Sequence, residues 1–436
     1  VVRPAVVAAS LAALVATAAA NGRPPLTNGV FFRPGDAQSI YVRSTFGLLV
    51  SHDDGCSFRW VCEKAIGYGG EFDPKYAIAT DGTIFATTFT GLRVSRDGGC
   101  TWSTAPVGPG EIWVDAITIG PTGDVWVATA ESAAPNNVYR STDGGETFTA
   151  RGMLSPTVWW KSVKVAPSDP QVVYVAGYQV AGAPTARLYR SDNAGEAWTE
   201  HPLFGEQRDP PTMKFGSTPI VLVAAIDPDD PNIVLLTSIE ANPPKGDRLY
   251  RSTDGGVTFT QVLATTDKIR DVFYATDGSV YVATLGSGGY RSTNRGAAFS
   301  PLAAPPQLGC LGQRSDGTLV GCGANWEPDF KAVARTTDAA SWQKVFRFVE
   351  LAGPVQCAPG TTVASMCEPL WPSLKELFGA TGPGMCPAVP DDPPKKPIAG
   401  GGCCDAGRSS SSGLLVAGVV ALALRRRRYK PSRQLL

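Results

Sequence analysis

Apolar residues along most of this chain come in short runs of Val, Ile, Ala, Tyr and Thr, each cut off by Pro, Asp or Gly. Many of these runs fall in pairs around a turn. Val30–Val42 bends at Pro34-Gly35-Asp36, Ile117–Ala128 at Pro121-Thr122-Gly123-Asp124, and Val163–Ala176 at Pro167-Ser168-Asp169-Pro170. Ala224–Leu236 and Val272–Ala283 repeat the form around Asp227-Pro228-Asp229-Asp230 and Asp277-Gly278. Such pairs predict β-hairpins. Helix formers are few, and 48 Gly with 36 Pro supply frequent turns, so the chain reads as all-β.

Downstream of each hairpin lies a second repeated element: Ser, any residue, Asp, any residue, Gly, two residues, then an aromatic. It is complete at Ser51–Phe58, Ser95–Trp102, Ser141–Phe148 and Ser252–Phe259. Ser191–Trp198 and Ser292–Phe299 carry Asn193 and Asn294 in the Asp position, and Thr336–Trp342 is one residue shorter and lacks its Gly. An Asp or Asn side chain accepting backbone N–H groups two residues on closes a turn, and Gly supplies a positive φ without steric cost. These copies resemble the Asp-box, or BNR, repeat of sialidases and many other propellers. The resemblance implies structural roles for Asp53, Asp97, Asp143, Asn193, Asp254, Asn294 and Asp338. Box starts at 51, 95, 141, 191, 252, 292 and 336 are 40 to 61 residues apart, the period of a four-stranded blade. The expected fold is a seven-bladed β-propeller over residues 21–348.

Within each unit the hairpin turn and the box fall on one face of the disc. The connection from second to third strand and the link to the next blade fall on the other. The long insertions Ala130–Asn137, Gln179–Ala186, His201–Thr218 and Glu240–Asp247 all belong to that second face. Length variation on one face over a constant scaffold marks the binding side. Trp113, Trp159, Trp160, Tyr178 and Trp326 lie near it and are candidates to stack on sugars or anchor a protein partner. So do the carboxylates Glu71, Asp73, Asp115, Glu240, Asp271 and Glu327, of which Asp115, Glu240 and Asp271 join the aromatic residues as ligand-binding candidates.

The ends change the picture of where the protein works. Residues 1–20 carry one early cation, an apolar stretch and small residues before Asn21, the layout of a secretory signal peptide. Residues 349–386 are expected to form a Cys-containing cap with a short helix around Pro372–Phe378, and 387–402 a Pro/Gly linker. From 403 onward come Cys403, Cys404, a Ser run, the short apolar helix Gly413–Leu424 and Arg425–Arg428. This order is similar to the MYXO-CTERM sorting tag of myxobacteria. The resemblance implies export, processing or lipidation at Cys403 and Cys404, and display at the outer envelope of a Gram-negative cell. Setting aside Arg3 and the six cations of Gly413–Leu436 leaves 32 basic residues against 39 acidic ones. An acidic body with no basic stripe excludes a nucleic-acid binder. In an oxidising compartment the remaining cysteines pair. Cys310 and Cys322 are symmetric about the turn Ser315-Asp316-Gly317, and proximity alone suggests Cys56–Cys62 and Cys357–Cys367.

Catalytic chemistry is not assigned by the sequence. The sialidase pattern calls for a Phe/Tyr-Arg-Ile-Pro motif, and Phe32-Arg33-Pro34 lacks the Ile. Oligoxyloglucan-type glycosidases clamp substrate between two propellers, and this chain has one. Only His52 and His201 are present, no Cys-x-x-Cys occurs among the body cysteines, and Asp227-x-Asp229-Asp230 lacks the Gly and Glu of a calcium loop. No metal or cofactor is expected. The expected function is a monomeric, surface-displayed module binding a glycan or envelope protein. A glycoside hydrolase of sialidase or xyloglucanase type and an assembly factor similar to photosystem-assembly propellers are the alternatives.

Overall fold

Seven sheets, each built on four antiparallel strands consecutive in sequence, stand side by side in a closed ring. The computed structural model describes residues 23–70, 72–182, 185–203, 220–239, 246–286 and 288–383. The innermost strands are Thr27–Phe31, Tyr76–Ile78, Val114–Ile119, Val158–Val165, Ile220–Ile226, Ile269–Tyr274 and Cys310–Gln313. Each contacts the innermost strand of the next blade, and Cys310–Gln313 returns to Thr27–Phe31. Second strands such as Ile84–Thr88, Val125–Thr129 and Val280–Thr284 are buried at every position. Both faces of a blade press on a neighbour, so these strands are apolar throughout instead of alternating. The hydrophobic clusters accordingly fill the clefts between successive blades.

The seven boxes share one hydrogen-bond scheme. The first hydroxyl is buried, donates to the Asp or Asn oxygen two residues on, and accepts the N–H of the box Gly, or of Ala339 in the seventh copy. At Ser141 these contacts are 2.7 Å to Asp143 and 2.8 Å from Gly145. The Asp oxygen then accepts the N–H four residues further on, as Thr147 donates to Asp143 at 3.0 Å, rather than two residues on as the sequence suggested. The short seventh copy closes one residue earlier, with Ser341 donating to Asp338 at 2.8 Å, and Ala339 takes the positive φ of 59°. The fifth-position Gly has a second reason to be Gly. A Cβ on Gly145 would sit 2.6 Å from Phe85, and one on Gly55 2.4 Å from Val345, both on the preceding blade.

Two features differ from expectation. Blade 1 has five strands, because Leu351–Pro354, read as part of the cap, pairs in parallel with the outermost strand Phe58–Cys62. An apolar segment leaving blade 7 thereby covers an edge that would stay open. Phe46, Phe348 and Phe378 cluster edge-on and tilted around this junction at 4.9–5.2 Å, with helix Trp371–Phe378 supplying the last ring. The disulfides also cross differently. Cys62 bonds Cys367 and Cys100 bonds Cys357, with Cα atoms 5.4 and 5.5 Å apart, instead of Cys56–Cys62 and Cys357–Cys367. Strand Phe58–Cys62 spans roughly 17 Å and separates Cys56 from Cys62, while helix Thr362–Met366 lies between Cys357 and Cys367. Cys310 and Cys322 face each other in register and are bonded, with Cα atoms 4.9 Å apart, and Cys56 is disulfide-bonded as well. Disulfides in this number fit an exported protein. No helix among the described residues is long and apolar enough to cross a membrane. Residues 1–20, the linker, Cys403, Cys404 and the sorting tag lie outside the described residues.

Candidate functional site

The antiparallel strand order puts the second-to-third-strand connections and the inter-blade links at one mouth of the ring. Four aromatic side chains run around that mouth across blades 2 to 4. Phe72 and Phe89 of blade 2 are 4.7 Å apart between ring centres, Phe89 lies 4.8 Å from Trp113, and Trp113 lies 5.9 Å from Trp159. Trp159 is paired across its sheet with Tyr178. Phe89 is 48 % exposed, so the run, whose successive ring planes are tilted by 49–65° rather than coplanar, forms a stepped shelf open to solvent at its blade 2 end. Local bonds fix its centre: the Trp113 N–H donates to the Glu131 carboxylate, and its carbonyl accepts from the Ala130 N–H at 3.0 Å. Burial would raise the Glu131 carboxyl, but the N–H groups of Ala133, Ser132 and Trp113 outweigh it and hold the group ionised.

Beside the shelf, charged residues from three blades converge. Asp115, on the innermost strand of blade 3, is buried and accepts Lys161 at 2.9 Å and Lys75 at 3.5 Å, both on Oδ2. Burial would raise its carboxyl, but the two ammonium groups outweigh that and hold it below the ordinary value. The Lys161 ammonium also sits 4.5 Å from the Trp113 ring centre, a cation–π contact tying charge to shelf. Asp271, on the innermost strand of blade 6, behaves oppositely. Burial pushes it up to about 6, although it accepts the Leu311 N–H at 3.1 Å and feels Arg43, Lys164 and Arg270. Asp73 is engaged by the Arg23 guanidinium at 2.7 and 2.9 Å and by the Asn28 amide at 2.7 Å.

The structure thus brings Trp113, Asp115, Trp159 and Tyr178 to one neighbourhood. Trp160 does not belong there: it is buried between blades, its indole N–H donating to the Met153 carbonyl at 2.9 Å. Neighbouring strand residues point to opposite sides, so Trp159 and Trp160 cannot both face the mouth. Trp326 is 43 % exposed on the third-strand connection of blade 7, away from the shelf. Glu71 and Glu240 lie outside the described residues. Sequence reading missed Phe72, Phe89, Lys75 and Lys161. For the two lysines the signal was alternating charge on or beside the innermost strands of successive blades: Lys75, Asp115, Lys161. No group of three metal-ligating side chains occurs among the described residues.

No protein-family profile matches the chain. Xyloglucanase Xgh74A of Acetivibrio thermocellus is 27 % identical over 203 residues, 39 % of this chain and 22 % of that protein. A xyloglucanase of a Paenibacillus species is 24 % identical over 372 residues, 77 % of this chain and 32 % of that protein. The chain therefore spans a third or less of the length of these relatives. Among solved structures, an ancestral GH74 enzyme superposes with a TM-score of 0.51 at 16 % identity, over 74 % of this chain and 46 % of that one. Fold and neighbours define the class: a seven-bladed β-propeller with xyloglucanase-like relatives.

Proposed function

We propose that this chain is a carbohydrate-directed propeller that binds a polysaccharide at the long-loop mouth of its ring. The observation that carries the reading is the Phe72–Phe89–Trp113–Trp159 shelf, open at Phe89 and flanked by charged groups. Sugar rings stack on such surfaces, and the fixed polar groups beside it supply orientation. The activity for which the relatives are named, xyloglucanase, supports the same ligand class. Affinity electrophoresis of the purified chain in gels containing xyloglucan or other β-glucans tests it. Retardation is expected, and Phe89→Ala should weaken it about tenfold with the melting temperature unchanged. An unretarded chain on every polysaccharide would end the reading.

Hydrolysis is the second reading, favoured by the relatives and by Asp271. A carboxyl pushed up to about 6 is protonated often enough near neutrality to give a proton to a leaving sugar oxygen. Asp115, doubly bound and held ionised, is unsuited to that step. Release of reducing ends from xyloglucan, lost in Asp271→Asn, is the expected result. Binding without release leaves the chain a binding module. Display at the outer envelope through processing near Cys403 and Cys404 is proposed with it. Intact-mass spectrometry of the envelope-associated protein tests this, an unmodified C-terminus at Leu436 being the contrary result.

A further inference from the structure

The charges at the mouth do not balance. Two ammonium groups, on Lys75 and Lys161, share a single carboxylate oxygen of Asp115. Arg43 is held by neutral acceptors only among its direct contacts, the Asn28 side chain and carbonyl and the Pro74 carbonyl. Its charge is felt at both Lys75 and Arg270, so these cations lie within electrostatic reach of one another. Asp247, Asp271 and Asp267 answer the charge of Arg270, but Lys75 and Lys161 have only Asp115 in contact, Asp73 being engaged by Arg23 and Asn28. Lys75 loses proton affinity to burial first, Asp115 restores some of it, and Lys161 and Arg43 take more away. Like charges crowded in a partly desolvated site raise its energy until an anion enters. The Lys75 side chain is 39 % exposed against 16 % for Lys161, which makes it the more accessible of the two cations on Asp115.

We propose that the mouth selects an anionic glycan, one sugar ring stacking on the Phe89–Trp113 shelf while its carboxylate or sulfate ester is received by Lys75 with Lys161 and Arg43 behind it. This rests on the polysaccharide-binding reading and narrows it, since xyloglucan itself is neutral. The body of the chain is acidic overall, 32 basic against 39 acidic residues between its ends, so its net charge does not itself attract a polyanion. Selection has to come from the local cations at the mouth.

Isothermal titration of the full chain at about 0.15 M salt tests it, where surface charges more than ~8 Å apart are largely screened. The probes are polygalacturonate, its fully methyl-esterified form, dextran sulfate, dextran and xyloglucan. Polygalacturonate should bind at least about tenfold tighter than its methyl ester and than xyloglucan, a difference of ~1.4 kcal/mol. Dextran sulfate binding over dextran, with polygalacturonate weak, would name the sulfate ester as the anion and also support the proposal. Lys75→Gln should remove most of the acid preference, Lys75→Arg should keep it, and Lys375→Gln on the cap helix should change nothing. Melting curves of each variant confirm folding. Equal affinity for acid and ester together with equal affinity for dextran sulfate and dextran, or equal losses from Lys75→Gln and Lys375→Gln, would overturn the inference. If xyloglucan binds without any acid or sulfate preference, this inference fails and the polysaccharide reading stands. If no polysaccharide binds, both fall.

Discussion

Two carboxyl groups on equivalent innermost strands, Asp115 and Asp271, have opposite acid–base characters because one has two cations in contact and the other has a single backbone N–H. Asp115 has its pKa lowered in the fold, so its stabilisation is complete above the ordinary carboxylate range and is lost as pH falls through the folded value. Asp115→Asn leaves Lys75 and Lys161 facing each other without an anion. The expected loss is about 2–3 kcal/mol between pH 5 and 8, shrinking in stronger acid, measured by urea unfolding. Asp271 has its pKa raised from 3.8 to about 6, so the native state binds more protons and stability falls as pH rises across that interval. Asp271→Asn, whose amide oxygen can still accept the Leu311 N–H, should raise the melting temperature at pH 7.5 and leave it unchanged at pH 4. An equal effect at both pH values would contradict the buried-acid account.

The box turn is the element that sets the spacing of the blades, and its two adjacent glycines separate two physical demands. Gly144 has φ +70° and open space where a Cβ would stand, whereas Gly145 has φ +87° and faces Phe85 of the preceding blade. Gly144→Ala should cost about 1–2 kcal/mol of backbone strain, and Gly145→Ala about 2–5 kcal/mol, because the clash adds to the strain. Similar losses in thermal unfolding of the two variants would refute the close-approach role. The box and hairpin periodicity made blade count and strand order legible, since each is dictated by neighbours in sequence. Strand Leu351–Pro354 was not legible, because its partner Phe58–Cys62 lies some 300 residues upstream and no local pattern records that pairing. The site was half legible for the same reason. Trp113 and Asp115 stand out in their own strand, but Lys75 and Lys161 acquire meaning only when blades 2, 3 and 4 are set side by side.

At the scale of the molecule, the ring is held shut by the segment that leaves blade 7. The parallel strand, the Phe46–Phe348–Phe378 cluster and two long-range disulfides tie this segment to blades 1 and 2. Chain-entropy reasoning assigns about 4 kcal/mol to Cys62–Cys367, because with Cys100–Cys357 intact it closes a loop of only about 50 residues, and about 3 kcal/mol to Cys310–Cys322, separated by 12. Paired Cys→Ala variants should therefore differ in melting temperature, with the long-range pair the more damaging. The same arrangement governs how the protein is made. A chain emerging N-terminus first completes blade 1 long before Leu351–Pro354 exists to cover it, so the edge Phe58–Cys62 waits as an open template for other chains. Cys62 and Cys100 wait equally long for Cys367 and Cys357, with Cys56 nearer at hand in the sequence. Biosynthesis thus passes through an interval in which wrong disulfides and edge-to-edge association compete with completion. Yield should depend on thiol–disulfide exchange catalysts, and a chain cut short before Leu351 should accumulate with Cys62 and Cys100 mispaired or free.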